Sequence, residues 1–280
     1  MTLKPKLYGL VGFPITHSLS PCMHNAAFAK LKIKARYKLF ELRPEELDNF
    51  LCNLKKNNIW GFNVTYPYKE KIMSYLDIKS WGVREIGAVN TVVLMNGGKL
   101  KGFNTDFSGF SRHLKELKIK PKRVALIGAG GAAKAVSFAL GRIKAKEICI
   151  YDIDAYKSLS LISKFKDIFT ETKFTAASRI DELNLKDKDL LVNASVVGMR
   201  AEDPCLIDYK MFHKNLFVYD LIYSPFETKL LSQAKKTGIS SSNGLGMLLY
   251  QGVLAFSHFS GKNPPVEVMR SVLLKGVKKI

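Results

Sequence analysis

The amino-acid sequence predicts an α/β protein of two domains, one of which contains a doubly wound parallel sheet. The first observation behind this prediction is the run Ile127-Gly128-Ala129-Gly130-Gly131-Ala132, in which an apolar strand enters a glycine turn and an alanine-rich helix follows. The second is the alternation of short apolar strands with helical patterns along the chain. The third is the length of 280 residues, because single cores rarely grow past about 250 residues.

The first part of the chain predicts one α/β domain in β-α-β-α order. Strands are expected at Leu7 to Val11, Tyr37 to Glu41 and Gly61 to Val64, and helices at Pro21 to Leu31, Pro44 to Lys55 and Tyr68 to Leu76. Two further apolar runs, Ala88 to Met95 and Lys99 to Asn104, flank Asn96-Gly97-Gly98 and predict a hairpin. We expect this domain to comprise residues 1–106.

The second domain is expected over residues 107–245, after a helix from Phe107 to Leu117. Its strands begin at Arg123 and continue at Glu147 to Tyr151, Phe174 to Ala176, Leu190 to Ala194 and Phe217 to Leu221, separated by helical patterns. This alternation predicts a parallel, doubly wound sheet. Two later helices, Met247 to Phe259 and one from Pro265, have no strand partner. We expect residues 246–280 to return to the first domain and to leave a cleft between two lobes, a common place for a small-molecule site.

The glycine turn matches the pattern Gly-x-Gly-x-x-Ala at Gly128, Gly130 and Ala133. Glycine lacks the Cβ atom that would obstruct a sharp turn and a close approach to a pyrophosphate, and the following helix offers free N–H groups and a positive dipole end. An acidic residue, Asp152, follows the next strand. The segment therefore predicts a Rossmann-type dinucleotide-binding unit. An ordinary glycine-rich turn without a ligand is the alternative.

The formal net charge of +20 raises the hypothesis of nucleic-acid binding, because basic surfaces attract polyanions. The lysines are spread at helix-surface spacing, without a concentrated arm or interleaved aromatic residues. This distribution favours a solvated basic surface, which also raises the local concentration of an anionic substrate or cofactor. We expect small-molecule partners and no nucleic acid.

Composition also bounds the compartment and the chemistry. Hydrophobic content is 47%, and no segment approaches the roughly 18 apolar residues that a membrane span needs. The N-terminal residues lack the apolar run of a signal peptide, so a cytoplasmic protein without membrane contact is expected. The four cysteines and five histidines are scattered. They indicate neither a disulfide framework nor a metal site, and no histidine is a catalytic candidate.

Three polar segments lie at predicted strand ends or loops, where binding residues concentrate. Ser18 and Ser20 precede a helix and could direct two hydroxyls and helix amides at a carboxylate, although Ser20 could equally be a plain N-cap before Pro21. The second segment brings Thr65 and Lys69 near one edge of the sheet. The third consists of Asn90-Thr91 and Asn104-Thr105-Asp106, which could bind hydroxyl groups.

Taken in order, these segments resemble the motifs of the shikimate dehydrogenase family over essentially the whole chain. The matching segments are Gly12 to Pro21, Asn63 to Glu70, Gly87 to Thr91, Asn104 to Asp106, Gly128 to Ala132, Asn193 to Ser195, and Asn243 to Met247 with Gln251. The resemblance implies a substrate-binding catalytic domain followed by an NAD(P)-binding domain. It also implies reversible reduction of 3-dehydroshikimate to shikimate with a nicotinamide cofactor, in chorismate and aromatic amino-acid biosynthesis.

The resemblance assigns roles to individual residues. It implies Lys69 and Asp106 as catalytic residues, with Ser18, Ser20, Thr65, Asn90, Tyr223 and Gln251 binding substrate. Implied cofactor-binding residues are Gly128, Ala129, Gly130, Gly131, Ala132, Asp152, Ser195, Leu221, Gly244 and Met247. As a carbonyl is reduced, the Lys69 ammonium can stabilise the growing charge on oxygen and donate a proton. Asp106 would orient Lys69, and which of the two moves the proton stays open.

Cofactor choice is where the sequence departs from many family members. Those that use NADP have Asn-Arg-Thr after the second nucleotide-domain strand, whereas this chain has Tyr151-Asp152-Ile153. A carboxylate there accepts hydrogen bonds from a ribose diol and repels a phosphate. We therefore predict a preference for NAD over NADP, with Lys157 as the residue most able to support NADP binding.

Two alternative functions remain at this point. One is an NAD-preferring quinate/shikimate dehydrogenase, although the Ser18-x-Ser20 pair resembles the shikimate-specific type. The other is a non-catalytic, nucleotide-sensing protein on the same fold, which the presence of both Lys69 and Asp106 disfavours. The sequence leaves open whether the protein is a monomer or a homodimer.

Overall fold

The computed structural model describes residues 4–277, and none of the helices in this range is long and apolar enough to cross a membrane. The described chain divides into two compact units. One comprises the residues up to Gly109 together with those from Leu249 onward, and the other comprises Phe110–Leu248. Each unit contains a six-stranded sheet.

Strands and helices alternate over much of the described chain. The first eleven are β1 (Lys6–Gly12), α1 (Ser20–Lys30), β2 (Ala35–Glu41), α2 (Leu47–Cys52), β3 (Ile59–Val64), β4 (Ile78–Lys79), α3 (Trp81–Ile86), β5 (Thr91–Leu94), β6 (Leu100–Phe103), α4 (Asp106–Glu116) and β7 (Arg123–Ile127). The later ones are α5 (Gly131–Arg142), β8 (Glu147–Tyr151), α6 (Ala155–Lys166), β9 (Lys173–Ala176), β10 (Leu190–Asn193), β11 (Phe217–Asp220), α7 (Lys229–Lys236), β12 (Ser241–Ser242), α8 (Leu245–Ser260) and α9 (Val266–Val277). Consecutive strands occur at β3–β4, β5–β6 and β9–β11, and two consecutive helices follow β12.

The sheet of the first unit is mixed, with strand order β2-β1-β3-β5-β6-β4. β1 pairs in parallel with β2 and β3, whereas β5 runs antiparallel to β3 and β6. Val11 is paired with Val64, and Thr91 lies between Asn63 and Phe103. The ends of β1, β3 and β6 and the start of β5 therefore share one edge of the sheet, and the loops at that edge are brought together.

Apolar side chains cover this sheet in two clusters. One contains Val11, Phe62 and Ile72. The other is aromatic and joins Tyr8, Phe28, Phe256 and Phe259 through ring contacts, while α1 packs against α9. The expected helix at the C-terminus therefore packs on the first helix of the chain.

The sheet of the second unit is parallel throughout, with order β12-β11-β10-β7-β8-β9. The chain enters at β7, proceeds outward through β8 and β9, and then returns to the other side of β7 with β10. This is the doubly wound arrangement, in which ligands bind at the carboxyl ends of the strands where the order reverses. Ile127 lies between Tyr151 and Asn193 at that edge.

Local sequence explains these elements. The strands of the second unit read as continuous apolar runs because helices cover both faces of a parallel sheet, and Val124 to Ile127 are buried accordingly. α7 begins where the Thr228 side chain accepts a hydrogen bond from the Leu231 N–H. α3 ends at Gly87, whose φ of 74° is left-handed.

Several predicted boundaries are wrong. The helix expected over Pro44 to Lys55 is a 3₁₀ turn followed by α2, and the helix expected over Tyr68 to Leu76 is only a 3₁₀ segment, Lys71–Tyr75. Asn53, which follows α2, bonds back to Asn49 and so competes with helix continuation. The prediction omitted β4 and α3, which are too short to show periodicity. Short 3₁₀ turns, not α-helices, connect β9 to β10 and β10 to β11.

His24 is fully buried in the aromatic cluster of the first unit. Its ring stacks on Tyr37 at 4.3 Å between centroids, and neither ring nitrogen has a hydrogen-bond partner among the described residues. Burial lowers the pKa of His24 from 6.5 to about 3, because the imidazolium would lose its hydration. His24 is therefore a neutral packing residue.

Acid should destabilise the first unit through His24. The folded pKa is depressed, so the stability is complete above pH 6.5 and declines as pH falls toward 3, by about 2 kcal/mol between pH 7 and pH 5. We expect His24→Phe to remove this part of the pH dependence. Urea unfolding followed by tryptophan fluorescence measures it, because Trp60 and Trp81 both lie in the first unit. The exposed-site control His17→Asn should retain the wild-type slope, and an unchanged slope in His24→Phe would contradict the assignment.

Candidate active site

Lys69 and Asp106 form an ion pair at the edge of the first unit's sheet. The Nζ of Lys69 lies 2.7 Å from Oδ2 of Asp106, and the side chains are 17% and 7% exposed. Lys69 follows β3, and Asp106 is the first residue of α4 after β6. The pair therefore depends on the ends of the two strands that flank β5, and enough of the lysine is exposed for its ammonium to meet a ligand.

Asn90 orients the carboxylate of this pair. Its Nδ2 donates to Oδ1 of Asp106 at 2.7 Å and to Oγ1 of Thr105 at 2.9 Å, and it lies 3.4 Å from Oε1 of Gln251. Its Oδ1 accepts a hydrogen bond from the Thr105 N–H at 2.7 Å. Four residues that the sequence singled out, Lys69, Asn90, Asp106 and Gln251, are thus joined in one polar network.

Ser18 and Ser20 lie in the loop after β1 and at the start of α1. Leu19 is the N-cap of that helix, and its apolar side chain makes no capping hydrogen bond. The alternative in which Ser20 is the N-cap is therefore wrong. The Ser18 Oγ accepts a weak hydrogen bond of 3.3 Å from the Ser20 N–H, so the Ser18 hydroxyl proton remains available for an acceptor, and Ser20 lies buried beside it.

Thr65 directly follows β3 and is half-buried. Its N–H donates to Val11 O at 2.9 Å, and a Cβ atom at Gly12 would lie 2.4 Å from its methyl group. Thr65 therefore lies against the end of β1, at the edge from which the Ser18 loop departs. Glycine at position 12 permits this close approach.

The second unit offers a cradle for a pyrophosphate. Gly128 has a φ of 100°, and a Cβ there would lie 2.9 Å from the Ala194 backbone. A Cβ on Gly130 would meet nothing within 4 Å, and α5 begins after Gly130 without a side-chain cap. The free helix amides thus face open space, as an anion site at a helix N-terminus requires. Ala133 is fully buried behind the turn, which fits the close packing expected of the third motif position.

Asp152 is turned toward this glycine loop. Its Oδ2 accepts the Ala129 N–H at 2.7 Å, and its Oδ1 accepts the Asp154 N–H at 2.9 Å. The residue that projects into solvent is Ile153, which is 95% exposed. Lys157 is exposed and pairs with Asp154 at 3.6 Å. Asp152, which corresponds in sequence to the family's arginine, thus directs its carboxylate at the glycine loop, whereas Ile153 faces solvent.

The other cofactor candidates follow the remaining strands of this sheet. Ser195 comes after β10, and its Oγ donates to Asn193 Oδ1 at 2.7 Å. Leu221 and Tyr223 follow β11 in a half-buried loop. A Cβ at Gly244 would lie 1.9 Å from Leu221 O, so this glycine lets the segment before α8 lie against that loop.

Two buried side chains that the sequence analysis missed, His113 and Tyr219, hold the Met247 backbone in place. The hydroxyl of Tyr219 forms a short hydrogen bond with His113 Nδ1 and also accepts one from the Met247 backbone N–H. A Cβ on Gly246 would lie 2.2 Å from the His113 ring. The start of α8 is therefore held against β11 and α4. His113 and Tyr219 are 106 positions apart in sequence, and no local pattern links them.

Asp220 is a second buried group that sequence reasoning missed, at the end of β11. Thr228 Oγ1 donates to its Oδ2 at 2.7 Å, and Asn193 Nδ2 donates to its Oδ1 at 3.0 Å. Burial raises the pKa of Asp220 from 3.8 to about 6, since the desolvation cost of the charged form exceeds the effect of these hydrogen bonds. The Asp220 carboxylate thus connects β10, β11 and the start of α7.

Two protein-family models match the chain: the shikimate dehydrogenase substrate binding domain over residues 10–92, and the shikimate 5'-dehydrogenase C-terminal domain over residues 244–274. A shikimate dehydrogenase (NADP+) of Caldanaerobacter subterraneus subsp. tengcongensis is 41% identical over 261 residues, or 92% of each protein. The chain belongs to the shikimate dehydrogenase family. A relative of the same name from Methanopyrus kandleri is 40% identical over 277 residues, which cover 96% of this chain and 95% of the relative.

Solved structures of similar proteins match almost the whole chain. A shikimate dehydrogenase in complex with NADP+ has a TM-score of 0.89 at 37% identity, covering 98% of this chain and 96% of its own. The Listeria monocytogenes enzyme, in complex with shikimate and NAD, has a TM-score of 0.86 at 34% identity and 98% coverage of each chain. A quinate dehydrogenase from Corynebacterium glutamicum in complex with NAD has a TM-score of 0.87 at 31% identity, covering 97% and 99%. These matches confirm the predicted fold class and the predicted family.

In this shikimate dehydrogenase family member, Asp220 should make the second unit less stable at neutral pH. The folded pKa is raised, so the stability is complete below pH 3.8 and declines as pH rises through about 6, by about 3 kcal/mol in total. Asp220→Asn stays neutral and can donate to Thr228. We expect its stability relative to wild type to rise by about 2 kcal/mol from pH 4 to pH 7 in urea titrations followed by circular dichroism.

A matched variant, Asp167→Asn, changes an exposed carboxylate beyond α6 and should show no such rise. If the difference between Asp220→Asn and wild type is constant across this range, the charge of Asp220 is not the cause.

Proposed function

We propose that this chain catalyses the reversible, NAD(P)-dependent reduction of 3-dehydroshikimate to shikimate, a step in chorismate and aromatic amino-acid biosynthesis. The observation that carries the proposal is the Lys69–Asp106 ion pair at 2.7 Å, partly exposed among amide and hydroxyl groups at one sheet edge. Reducing a ketone on a polyhydroxylated ring requires one proton donor and several hydrogen-bond partners. The first unit contains both.

In this proposal the first unit recognises the substrate. Ser18 and Ser20 donate their hydroxyl protons to the ring carboxylate, supported by Ser18 Oγ, which accepts the Ser20 N–H and keeps its own proton. Thr65, Asn90 and Gln251 hydrogen-bond the ring hydroxyls. The surface charge of +20 favours the approach of such an anionic substrate.

Lys69 is the proposed proton donor. When bound in the second unit, a nicotinamide cofactor would supply the hydride chemistry at the carbon that bears the reacting oxygen. As negative charge develops on that oxygen, the Lys69 ammonium stabilises it and transfers one proton to it. In the opposite direction, the neutral amine accepts the proton of the alcohol. Asp106 holds Lys69 in position with one oxygen and accepts a hydrogen bond from a ring hydroxyl.

The second unit is the proposed cofactor-binding domain. The glycine loop Gly128–Ala132 would hold the pyrophosphate with its backbone amides, supported by the open space above Gly130. Ser195, Leu221, Gly244 and Met247 would contact the remainder of the cofactor. Tyr223, in the loop after β11, is proposed as a substrate contact.

We further propose that NAD is preferred over NADP. The curated relatives are named as NADP+ enzymes, whereas similar structures include two with NADP+ or NADP(H) and two with NAD. Here two backbone N–H groups fix the Asp152 carboxylate beside the glycine loop. A fixed carboxylate can accept hydrogen bonds from a ribose diol and repels a 2′-phosphate. Ile153, the solvent-facing neighbour, offers no positive charge.

Quinate is the second candidate substrate. It is favoured by the similarity to the quinate dehydrogenase that holds NAD, together with the Asp152 carboxylate of this chain. The Ser18-x-Ser20 pair supports shikimate, because quinate needs room for an additional hydroxyl on the carbon that bears the carboxylate. Relative kcat/KM for the two acids distinguishes these activities.

Steady-state assays of purified wild-type protein with shikimate or quinate, and NAD or NADP, should give the highest kcat/KM for shikimate with NAD. Lys69→Met removes the proton donor and should lower kcat by at least about 100-fold. Lys71→Met, at an exposed lysine two residues away, should retain wild-type kcat. Turnover by Lys69→Met within twofold of wild type would contradict the mechanism and would favour a nucleotide-sensing role for this fold.

Cofactor preference should respond to two adjacent positions. Asp152→Asn removes the charge while keeping an oxygen for the Ala129 N–H, and Ile153→Arg adds a guanidinium that can pair with a phosphate. We expect the double variant to raise the NADP/NAD ratio of kcat/KM by about 100-fold. Lys166→Gln, which removes an exposed charge at the other end of α6, serves as a control and should leave the ratio unchanged. An unchanged ratio in the double variant would show that Asp152 does not discriminate between the cofactors.

A further inference from the structure

A chain of buried side chains extends from the Lys69–Asp106 pair into the first unit. Tyr37 in β2, Asn63 in β3 and Thr91 in β5 are each at most 5% exposed. The Tyr37 hydroxyl donates to Asn63 Oδ1 at 2.8 Å, and Asn63 Nδ2 donates to Thr91 Oγ1 at 2.9 Å. Thr91 in turn donates to Asn90 Oδ1 at 3.2 Å. None of these three residues is among the proposed substrate contacts.

The side-chain amide of Asn63 has only one possible orientation in this series of hydrogen bonds. Asn63 Nδ2 lies 3.1 Å from the main-chain oxygen of Asn90, which can only accept a hydrogen bond. Rotating the amide by half a turn would bring two oxygens together there. The nitrogen must therefore face Asn90 and Thr91, and the oxygen must face the hydroxyl of Tyr37.

The orientation of the Asn90 side-chain amide is fixed in the same way. The main-chain N–H of Thr105, which can only donate, lies 2.7 Å from Asn90 Oδ1. That atom must be the oxygen, so Nδ2 must point at Asp106. Between these two ends the Thr91 hydroxyl accepts from Asn63, and of the two oxygens within reach of its proton, Asn90 Oδ1 at 3.2 Å is nearer than Thr105 Oγ1 at 3.4 Å. The direction of each hydrogen bond is thus consistent from Tyr37 to Asp106.

We propose that Tyr37, Asn63 and Thr91 are positioning residues for the reaction, acting through the side-chain amide of Asn90. By holding the Asn90 oxygen toward Thr91 and Thr105, they keep its N–H groups on Asp106, which in turn holds Lys69. The inference rests on the proposed dehydrogenase function for its kinetic consequence. The hydrogen-bond arrangement itself does not depend on that function.

Packing explains why Tyr37, at the far end of this series of hydrogen bonds, stays in place. The Tyr37 ring stacks on His24 with an angle of 4° between the ring planes, and Asn25 bonds both the N–H and the oxygen of the Tyr37 main chain. Fixed rings and a fixed main chain leave the hydroxyl little freedom. Removing it leaves an unsatisfied amide oxygen inside the unit, which is costly.

Two substitutions of Thr91 separate positioning from simple structural support. Thr91→Val keeps the shape and removes the hydroxyl, whereas Thr91→Ser keeps the hydroxyl and removes a buried methyl group. We expect Thr91→Val to lower kcat by about tenfold with KM for shikimate within about twofold, because a small misplacement of the reacting group slows chemistry more than binding. Thr91→Ser should retain kcat within about twofold although it loses a buried methyl group.

Tyr37→Phe tests the far end and should lower kcat by about threefold, again with little change in KM. Thr175→Val, in β9 of the second unit, is the control and should match wild type. If Thr91→Val and Thr91→Ser have equal kcat, the positioning role is overturned.

A second measurement does not require activity. In ¹⁵N-labelled protein without substrate, the side-chain NH₂ resonances of Asn90 should keep their shifts in Thr91→Ser and move in Thr91→Val. Wild-type protein that shows no dehydrogenase activity would contradict the proposed function and leave this measurement to decide the hydrogen-bond arrangement. Unchanged Asn90 resonances in both variants would overturn the arrangement itself.

Discussion

The side-chain amide of Asn90 is the contact on which the candidate catalytic centre depends. It has one oxygen and two N–H protons, and the surrounding groups determine which end faces which neighbour. A donor that cannot accept, the Thr105 N–H, binds its oxygen, while its nitrogen meets the Asp106 carboxylate. Amide orientation therefore determines where Asp106 lies, and Asp106 determines where Lys69 lies. Interior hydrogen bonds have this directional power because leaving one unmade is costly.

Strand geometry explains why such groups meet at all. In the first unit, β1 and β3 end where β5 begins, so loops from distant parts of the sequence share one edge. In the second unit, reversal of the strand order at β7 brings the glycine loop, Asp152 and Ser195 to the carboxyl ends of neighbouring strands. Both sheets thus supply rigid strands for support and leave recognition to the loops, which tolerate polar residues.

Much of this arrangement could be predicted from sequence. The apolar runs, the hairpin around Gly97 and the glycine turn at Gly128 indicated most strands and the doubly wound sheet, because each depends on local patterns. The pairing of Lys69 with Asp106 is different, since nothing local joins residues 37 positions apart, and only the family resemblance indicated it.

Other features of the structure could not be predicted, because no local sequence pattern indicates them. The hydrogen bond between His113 and Tyr219, like that between Tyr37 and Asn63, arises from tertiary packing. The inward turn of Asp152 depends on an amide 23 residues away, so spacing could not distinguish it from the outward Ile153. Thr91 and Asn63 stood within recognised motifs, but their relation becomes visible only once donors and acceptors are followed across three strands.

The close approach of Gly244 and Gly246 to their neighbours limits how this protein can be re-engineered. Any side chain at Gly244 would collide with the Leu221 main chain, and one at Gly246 would collide with an imidazole. Randomised libraries that aim to alter cofactor contacts are therefore best confined to Leu221 and Met247, whose side chains already occupy space there. Positions 244 and 246 at the start of α8 accommodate only glycine, so new specificities along this segment must arise from substitutions at other positions.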